Sequence, residues 1–471
     1  GEDLKSMKPS YLIDRIKNIF PDIRTEEYDV DGQMPETAAG ALRYIIRHSD
    51  DDEAGETLAA VRKLLSEMGY GRQLSAINFG QNYVNSSKNL SPDTVHLIYG
   101  ENLVESVSKL ERYAECQFKY FLTYGLSLRE RETYRIGAAN VGNILHSTME
   151  KIFSFVRMFR DNDWVHLDEA ELEQKAVEFA NESAEDEAGP YFEDSSRAAY
   201  MKKLLADVAS RTARTLRTFI RCGEMDPENF ERRFNTSENA DNIDRYIFDL
   251  PNGLTMSLKG VIDRIDEFTD DRDAYFKIID YKSGKRTLDL GKIYDGLSLQ
   301  LMVYLHSLMK DNAPGAAMYY NIDDPVVDYK EGENPDDGIL ASLTPQGIVN
   351  SDSRVLALLD KVTTSGKSSY IPVAYNKDGT LSKTSSAASE ERLRLLGTYA
   401  SMKLEELGEH ISEGEIAPNP YPESCDYCPY RLVCGFEEGR DKYRRPTKLN
   451  NDDGCYKMFS ERVEKDGKKL D

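Results

Sequence analysis

Cysteine is scarce in this chain: six in 471 residues, too few for a disulfide-stapled secreted domain. Metal binding, catalysis or plain burial remain as the uses of each thiol. Long apolar runs are missing as well. No stretch approaches the roughly 18 to 20 residues needed to span a bilayer, and the opening GEDLKSMKPS lacks the apolar centre of a signal peptide. Neither membrane insertion nor export is expected, and a cytoplasmic address fits best. Positive charge is in deficit, with 60 Lys and Arg against 83 Asp and Glu and a formal charge of −23. That deficit argues against a polyanionic partner, which is held by neutralising its phosphates. Net charge is only a sum, however, and a local basic groove beside metal-recruiting carboxylates escapes the argument. Repeats and low-complexity tracts are absent. So is any G-x-x-x-x-G-K-[ST] phosphate loop, which excludes an ATP-driven motor within this sequence.

What is present is an ordinary globular composition, 40% hydrophobic and 30% charged, in a chain long enough for two or three domains. The first ninety-odd residues read as helical, as in DDEAGETLAAVRKLLSEMGYG, with acidic residues at its start and glycines at its end. The polar run NLSPDT then marks a boundary. Expected units are 1–96, 97–440 and a tail, 441–471. GNILHSTMEKIFSFVRMF and the stretch Met201 to Cys222 repeat apolar residues at helical spacing, so about 140 to 230 should be mostly helix, with an insertion over about 150–240. The period then changes. DRYIFDL, LTMSLKGVIDRIDEF and YFKIIDY read as three strands, LSLQLMVYLHSLMK as a helix and AAMYYNI as another strand. An α/β fold follows, a mixed sheet flanked by helices. Asp323 to Ser353 reads as a surface excursion, and SEERLRLLGTYASMKLEELGEHISEGE as a last long helix.

Residues two apart in a strand point the same way, so Asp280 and Lys282 of IIDYKSG share a face and Tyr281 turns opposite. A hairpin through DDRD would set Asp263 of VIDRID beside Asp280. Two carboxylates and a lysine are the equipment of phosphodiester hydrolysis: the carboxylates hold Mg²⁺ or Mn²⁺, which polarises the phosphoryl oxygen and acidifies bound water. Lys282 would orient that water or stabilise developing charge. D-x-K by itself recurs by chance in a charged chain, and the ordinary reading is a salt bridge at a strand end, with Asp263 solvated or paired to Arg264. Here each acid follows an apolar strand run, with Gly260 and Gly284 nearby. His146, on the helix GNILHSTMEKI, is a further candidate ligand, although a lone helical histidine is usually structural. Gln300 and Tyr304 are four apart and share a helix face near the same site.

Cys425, Cys428 and Cys434 form C-x2-C-x5-C, with Pro429 after the middle cysteine. A soft-metal site needs one thiolate more, and Cys116 is the candidate, more than 300 residues upstream. The x5 gap favours an iron-sulfur cluster over zinc, and either would turn binding energy into folding energy. Cys222 and Cys455 read as ordinary buried thiols.

Together these segments resemble the nuclease region at the carboxyl end of AddB, the second polypeptide of the bacterial AddAB helicase-nucleases. The resemblance spans most of 97–440 and rests on LIYGENLVESVSKLERYAECQFKYFLTYGLSLRERE, GNILHSTMEKI, VIDRID, IIDYKSG, LSLQLMVYL and CDYCPYRLVC. It implies a restriction-endonuclease-like PD-(D/E)XK fold. It implies His146, Asp263 and Asp280 as metal ligands, Lys282 as the catalytic lysine, and Gln300 with Tyr304 as supporting residues. A 4Fe-4S cluster on Cys116, Cys425, Cys428 and Cys434, DNA as substrate, an AddA-like partner, double-strand-break repair and cutting of the 5′-ended strand are implied likewise. Residues 1–96 would be the end of a helicase-like region. The alternatives are a stand-alone iron-sulfur exonuclease of the RecB-like kind, whose chains are much shorter, and a non-catalytic DNA-binding scaffold.

Overall fold

A computed structural model of the chain describes residues 10–23, 35–49, 55–83, 88–129, 131, 135–233, 246–309, 312–328, 334–438 and 441–467. Asp244 and Arg245 of the expected DRYIFDL strand, residues 329–333 of the expected surface excursion and parts of the expected helical start lie outside them.

The chain divides into two compact units, Gly1–Val84 and Asn85–Asp471. The first contains α1 (Tyr11–Ile19), α2 (Ala38–Arg47), α3 (Gly55–Glu67) and α4 (Gly71–Gln81). Its small core joins Ala41 and Ile45 of α2 to Leu58, Val61 and Leu65 of α3.

The second unit opens with α5 (Pro92–Tyr99), whose first turn is capped by Ser91, then β1 (Asn102–Ser106), α6 (Val107–Glu115) and the short α7 (Gln117–Tyr120). Three long helices follow: α8 (Ala138–Phe159), α9 (Glu169–Glu193) and α10 (Ser196–Cys222). Asp168 and Ser195 cap the latter two. Helix gives way at Cys222, and β2 (Asp226–Arg233) is a strand where the apolar spacing had suggested continued helix. Next come β3 (Ile247–Asp249), β4 (Thr255–Lys259), β5 (Val261–Thr269), β6 (Ala274–Lys282), α11 (Leu290–Tyr294), α12 (Gln300–Leu308) and β7 (Ala313–Asn321). The run LTMSLKGVIDRIDEF is therefore two strands, parted at Gly260, and they belong to different sheets: β4 lies between β1 and β3, while β5 enters the main sheet. Beyond β7 lie α13 (Pro335–Ser342), β8 (Gln346–Asn350), α14 (Ser353–Leu359), the paired β9 (Gly366–Lys367) and β10 (Ala374–Tyr375), β11 (Ala387–Ala388), α15 (Glu390–Ser412), α16 (Arg431–Cys434) and α17 (Asp453–Lys465). The expectation of a surface excursion fails for β8, which is almost wholly buried against β7. The Asp- and Pro-rich sequence before it reads as loop, and the strand that recruits β8 lies well upstream.

The main sheet runs β11-β8-β7-β6-β5-β2. β6 is antiparallel to β5 and parallel to β7, so the sheet is mixed. Helices cover both faces. Phe276 and Ile278 of β6 pack into a core with α12, α15 and α17, while Ile279 and Tyr281 pack into a second core built by α8, α9 and α10. Alternation along one strand thus feeds two cores, each large apolar side chain contributing about 1.5–3 kcal/mol on burial. It also leaves Asp280 and Lys282 on the α12 side. No helix among the described residues is long and apolar enough to cross a membrane.

Candidate active site and cysteine recess

Register builds the site. β5 and β6 pair Arg264 with Ile279, and one further step aligns Asp263 with Asp280. β2 and β5 pair Phe230 with Arg264 and Arg232 with Ile262, which aligns Glu231 with Asp263. Glu231, Asp263 and Asp280 therefore form a row across three neighbouring strands.

Around this row the side chains interlock. The Asp263 Oδ2 accepts the Tyr281 backbone N–H at 2.7 Å and lies 3.4 Å from Nδ1 of His146 on α8. Asp280, 1% exposed, accepts from Gln300 Nε2 at its Oδ1 (2.9 Å). Its Oδ2 forms an ion pair with Lys282 Nζ at 2.5 Å. Gln300 also donates to Tyr304 OH (3.0 Å) and accepts from Lys282 (3.0 Å). Gln300 is held in turn by Glu111 of α6, whose carboxylate accepts the backbone N–H of Leu299 (2.7 Å) and Gln300 (3.1 Å) at the start of α12.

The electrostatics follow from crowding and burial. Burial lifts the Asp280 carboxyl above its ordinary range, Lys282 opposes the rise, and Asp263 adds to it. Burial would lower the His146 imidazole, but the hydrogen bond and charge of Asp263 outweigh it and hold the ring above its ordinary value. Glu231 is pushed up to about 7 by burial and by the negative charges of Asp263 and Glu150.

A model of the PD-(D/E)XK nuclease superfamily matches residues 105–435. The chain belongs to the PD-(D/E)XK nuclease superfamily. It is similar to curated proteins named as the B component of an ATP-dependent helicase/deoxyribonuclease. That of Lachnoclostridium phytofermentans is 34% identical over 92% of this chain and 38% of its own length. That of Clostridioides difficile is 30% identical over 95% and 42%, and that of Clostridium perfringens 27% over 98% and 42%. The chain thus spans about two fifths of the relatives it matches. The mixed sheet with helices on both faces is the fold of this PD-(D/E)XK superfamily.

Within this superfamily member the six expected residues lie in one neighbourhood, but the tightest group differs from the expected ligand trio. Ligand atoms of His146, Glu231 and Asp263 lie within 4.8 Å of one another. Asp280 stands outside that group because Lys282 and Gln300 draw its carboxylate toward α12. Glu231 was not among the sequence candidates. It lies in NFERRF, with no D-x-K spacing to mark it, and only the β2–β5 register brings it in. Its φ of 46° is unusual for a residue other than Gly, Asn or Asp. Glu111 was also missed, since a helix-capping carboxylate nearly two hundred residues from its helix leaves no local signature. Arg264 does not pair with Asp263; it turns to the opposite face and holds Asp266.

Cys116, Cys425, Cys428 and Cys434 all line a single recess of about 330 Å³, its open mouth included. Phe118, Pro418, Pro420, Tyr430 and Phe436 form much of its wall. Hydrogen bonds close the long loop beside it: Tyr421 N–H to Glu115 O at 2.8 Å, Gln117 to Glu415 at 2.8 Å, and Tyr430 OH to Leu128 O at 2.9 Å. The Phe436 backbone N–H points at Cys434 Sγ at 3.4 Å. Cys222 and Cys455 are buried elsewhere.

Proposed function

We propose that this site hydrolyses phosphodiester bonds of DNA with the help of a divalent cation, Mg²⁺ or Mn²⁺, as the nuclease part of a helicase/deoxyribonuclease in double-strand-break repair. One observation carries the reading: Asp280 is buried and ion-paired to Lys282 while standing in strand register with two further carboxylates, so negative charge exceeds the one lysine that meets it. Three neighbouring carboxylates repel one another unless further positive charge sits among them, which a divalent cation supplies. His146, Asp263 and Asp280 would hold the cation, with Glu231 completing an oxygen-rich set suited to hard ions. Bound there, such a cation neutralises phosphate charge and acidifies bound water.

The chain's own residues do the remainder. Gln300 occupies Asp280 Oδ1, so a cation would share Oδ2 with Lys282 or displace it there. Lys282, held by Gln300 and Asp280, places its ammonium to meet a phosphate oxygen or orient the attacking water. Tyr304 and Glu111 fix Gln300. The relatives' name supports assembly with an AddA-like partner, and the likeness supports cutting of the strand that ends 5′ at the break and a helicase-like origin for residues 1–96.

The cysteine recess suits a 4Fe-4S cluster. Four cysteines on one recess are the donor set a 4Fe-4S cluster takes, and the N–H···S contact at Cys434 is of the kind thiolate clusters use.

The test is Mg²⁺-dependent cleavage of single-stranded DNA by the full chain in complex with its AddA-like partner. Asp280→Ala should lower it about a thousandfold or more. Equal cleavage by both proteins, or none by either, overturns the reading. Anaerobically purified protein should be brown, absorbing broadly near about 400 nm, and Cys116→Ser should bleach it and destabilise the fold more than Cys222→Ser. A colourless, zinc-loaded protein overturns the cluster.

A further inference from the structure

A groove of about 1490 Å³, counting its open mouth, reaches from Lys282 and Gln300 to Glu115 and Ser424. Ser424 also lines the cysteine recess, so the two candidate centres share a wall. The groove inverts the sign of the molecule. The chain carries 83 acidic and 60 basic residues, yet five cations line this groove, Arg112, Lys282, Lys285, Arg286 and Lys292, against three carboxylates, Glu111, Glu115 and Glu423. Two of those carboxylates are already engaged: Glu111 by the start of α12, and Glu115 by Lys119 at 3.0 Å.

The cations are left open. Many Lys and Arg side chains elsewhere form ion pairs, as Lys151, Lys202 and Lys403 do. Arg112, Lys285, Arg286 and Lys292 are exposed and have no carboxylate partner within ion-pair distance among the described residues, Arg112 only overlying the Tyr124 ring. Their backbone is nonetheless fixed. Asn321 clasps Arg286 from both sides, accepting its N–H (2.9 Å) and donating to its carbonyl (3.2 Å). Asp289 caps the helix turn that carries Lys292. Four solvated cations on a pinned rim, continuous with a buried acidic site, form a track for a polyanion.

We infer that this groove binds one strand of DNA through its phosphates, with Lys285, Arg286, Lys292 and Arg112 as the contacts that lead the strand to Asp280 and past the cysteine recess. The inference rests on the nuclease reading above. A single strand is the better occupant because Asp280 is 1% exposed: a scissile phosphate must descend into the floor, which a flexible strand does and a stiff duplex resists.

Fluorescence anisotropy of a labelled oligodeoxynucleotide, with Ca²⁺ replacing Mg²⁺ and salt varied, tests it on the full chain. Lys285→Ala/Arg286→Ala/Lys292→Ala should weaken binding on the order of tenfold to a hundredfold and flatten the slope of log K against log salt by about 2, three contacts at about 0.7 each. A control of equal charge change elsewhere, Lys367→Ala/Lys377→Ala/Lys383→Ala, should leave the slope unchanged. Equal losses in both triple variants overturn the groove, because total charge would then explain binding. So does a blunt duplex showing the same dependence on the three residues, or poly-glutamate competing as well as DNA per unit charge. Wild-type-like binding by the groove variant, with cleavage still dependent on Asp280, overturns the groove and leaves the nuclease reading standing. Loss of cleavage dependence on Asp280 with groove-dependent binding intact does the reverse.

Discussion

The same two strands, β5 and β6, form the base of two charged clusters that differ in their balance of charge. Arg264, Asp266 and Lys277 lie on the face toward α8. Arg264 is 1% and Asp266 0% exposed; the guanidinium grips both carboxylate oxygens at 2.5 and 2.6 Å; Lys277, its cross-strand neighbour, lies 2.8 Å from Asp266; and the guanidinium stacks on Phe153. Burial would raise the Asp266 carboxyl, but its two cations hold it below its ordinary value. On the other face Asp263, Asp280 and Glu231 stand in register beside Lys282, with His146 reaching Asp263 from α8, so like charge is crowded there. The first sets two cations on one carboxylate; the second sets three carboxylates around one lysine and one histidine. What separates a structural cluster from a working one is whether its members satisfy each other.

The largest effect that tests this contrast comes from Asp280→Ala. Cleavage should fall about a thousandfold or more while thermal stability stays level or rises, because a strained, like-charged carboxylate has been removed. A large loss of stability would place Asp280 with the closed cluster. Next comes Asp266→Asn, which leaves Arg264 and Lys277 buried and uncompensated. Urea unfolding should show a loss of about 3–5 kcal/mol, with Mn²⁺ affinity of the folded fraction unchanged. A third cluster joins α15 to α17, where Lys403 (2.9 Å) and Arg462 (3.2 Å) hold Glu406. Burial would raise this carboxyl, yet His410, Lys403 and Arg462 bring it down to about 2 from an ordinary 4.5. A depressed carboxylate stabilises the fold above its unfolded pKa and loses that contribution as pH falls. Wild type should therefore lose on the order of 2–3 kcal/mol relative to Glu406→Gln between about pH 4.5 and pH 2, read by parallel denaturation at each pH. The smallest effect belongs to Glu231→Gln, for which calorimetry should show Mn²⁺ affinity lowered about tenfold with Asp263 and Asp280 still in place. Unchanged affinity would remove Glu231 from the ligand set.

Legibility divided along similar lines. Alternation in IIDYKSG was enough to read Asp280 and Lys282 onto one face, and the four-residue step from Gln300 to Tyr304 onto another, because both depend only on near neighbours. β2 was read as helix, β8 as a surface excursion and β4–β5 as one strand, since each is decided by which distant strand it pairs with. Glu231 and Glu111 were illegible for that reason.

The sequence by itself determined the periodicities, the D-x-K face, the C-x2-C-x5-C spacing and the charge deficit, all of which are properties of neighbouring residues or of sums. Tertiary structure alone decided that Glu231 joins the row, that Arg264 turns away from Asp263, that Cys116 reaches the same recess as Cys425, and that a basic groove survives in an acidic protein. Those are matters of register and packing between segments hundreds of residues apart, and no local rule of chain geometry encodes them.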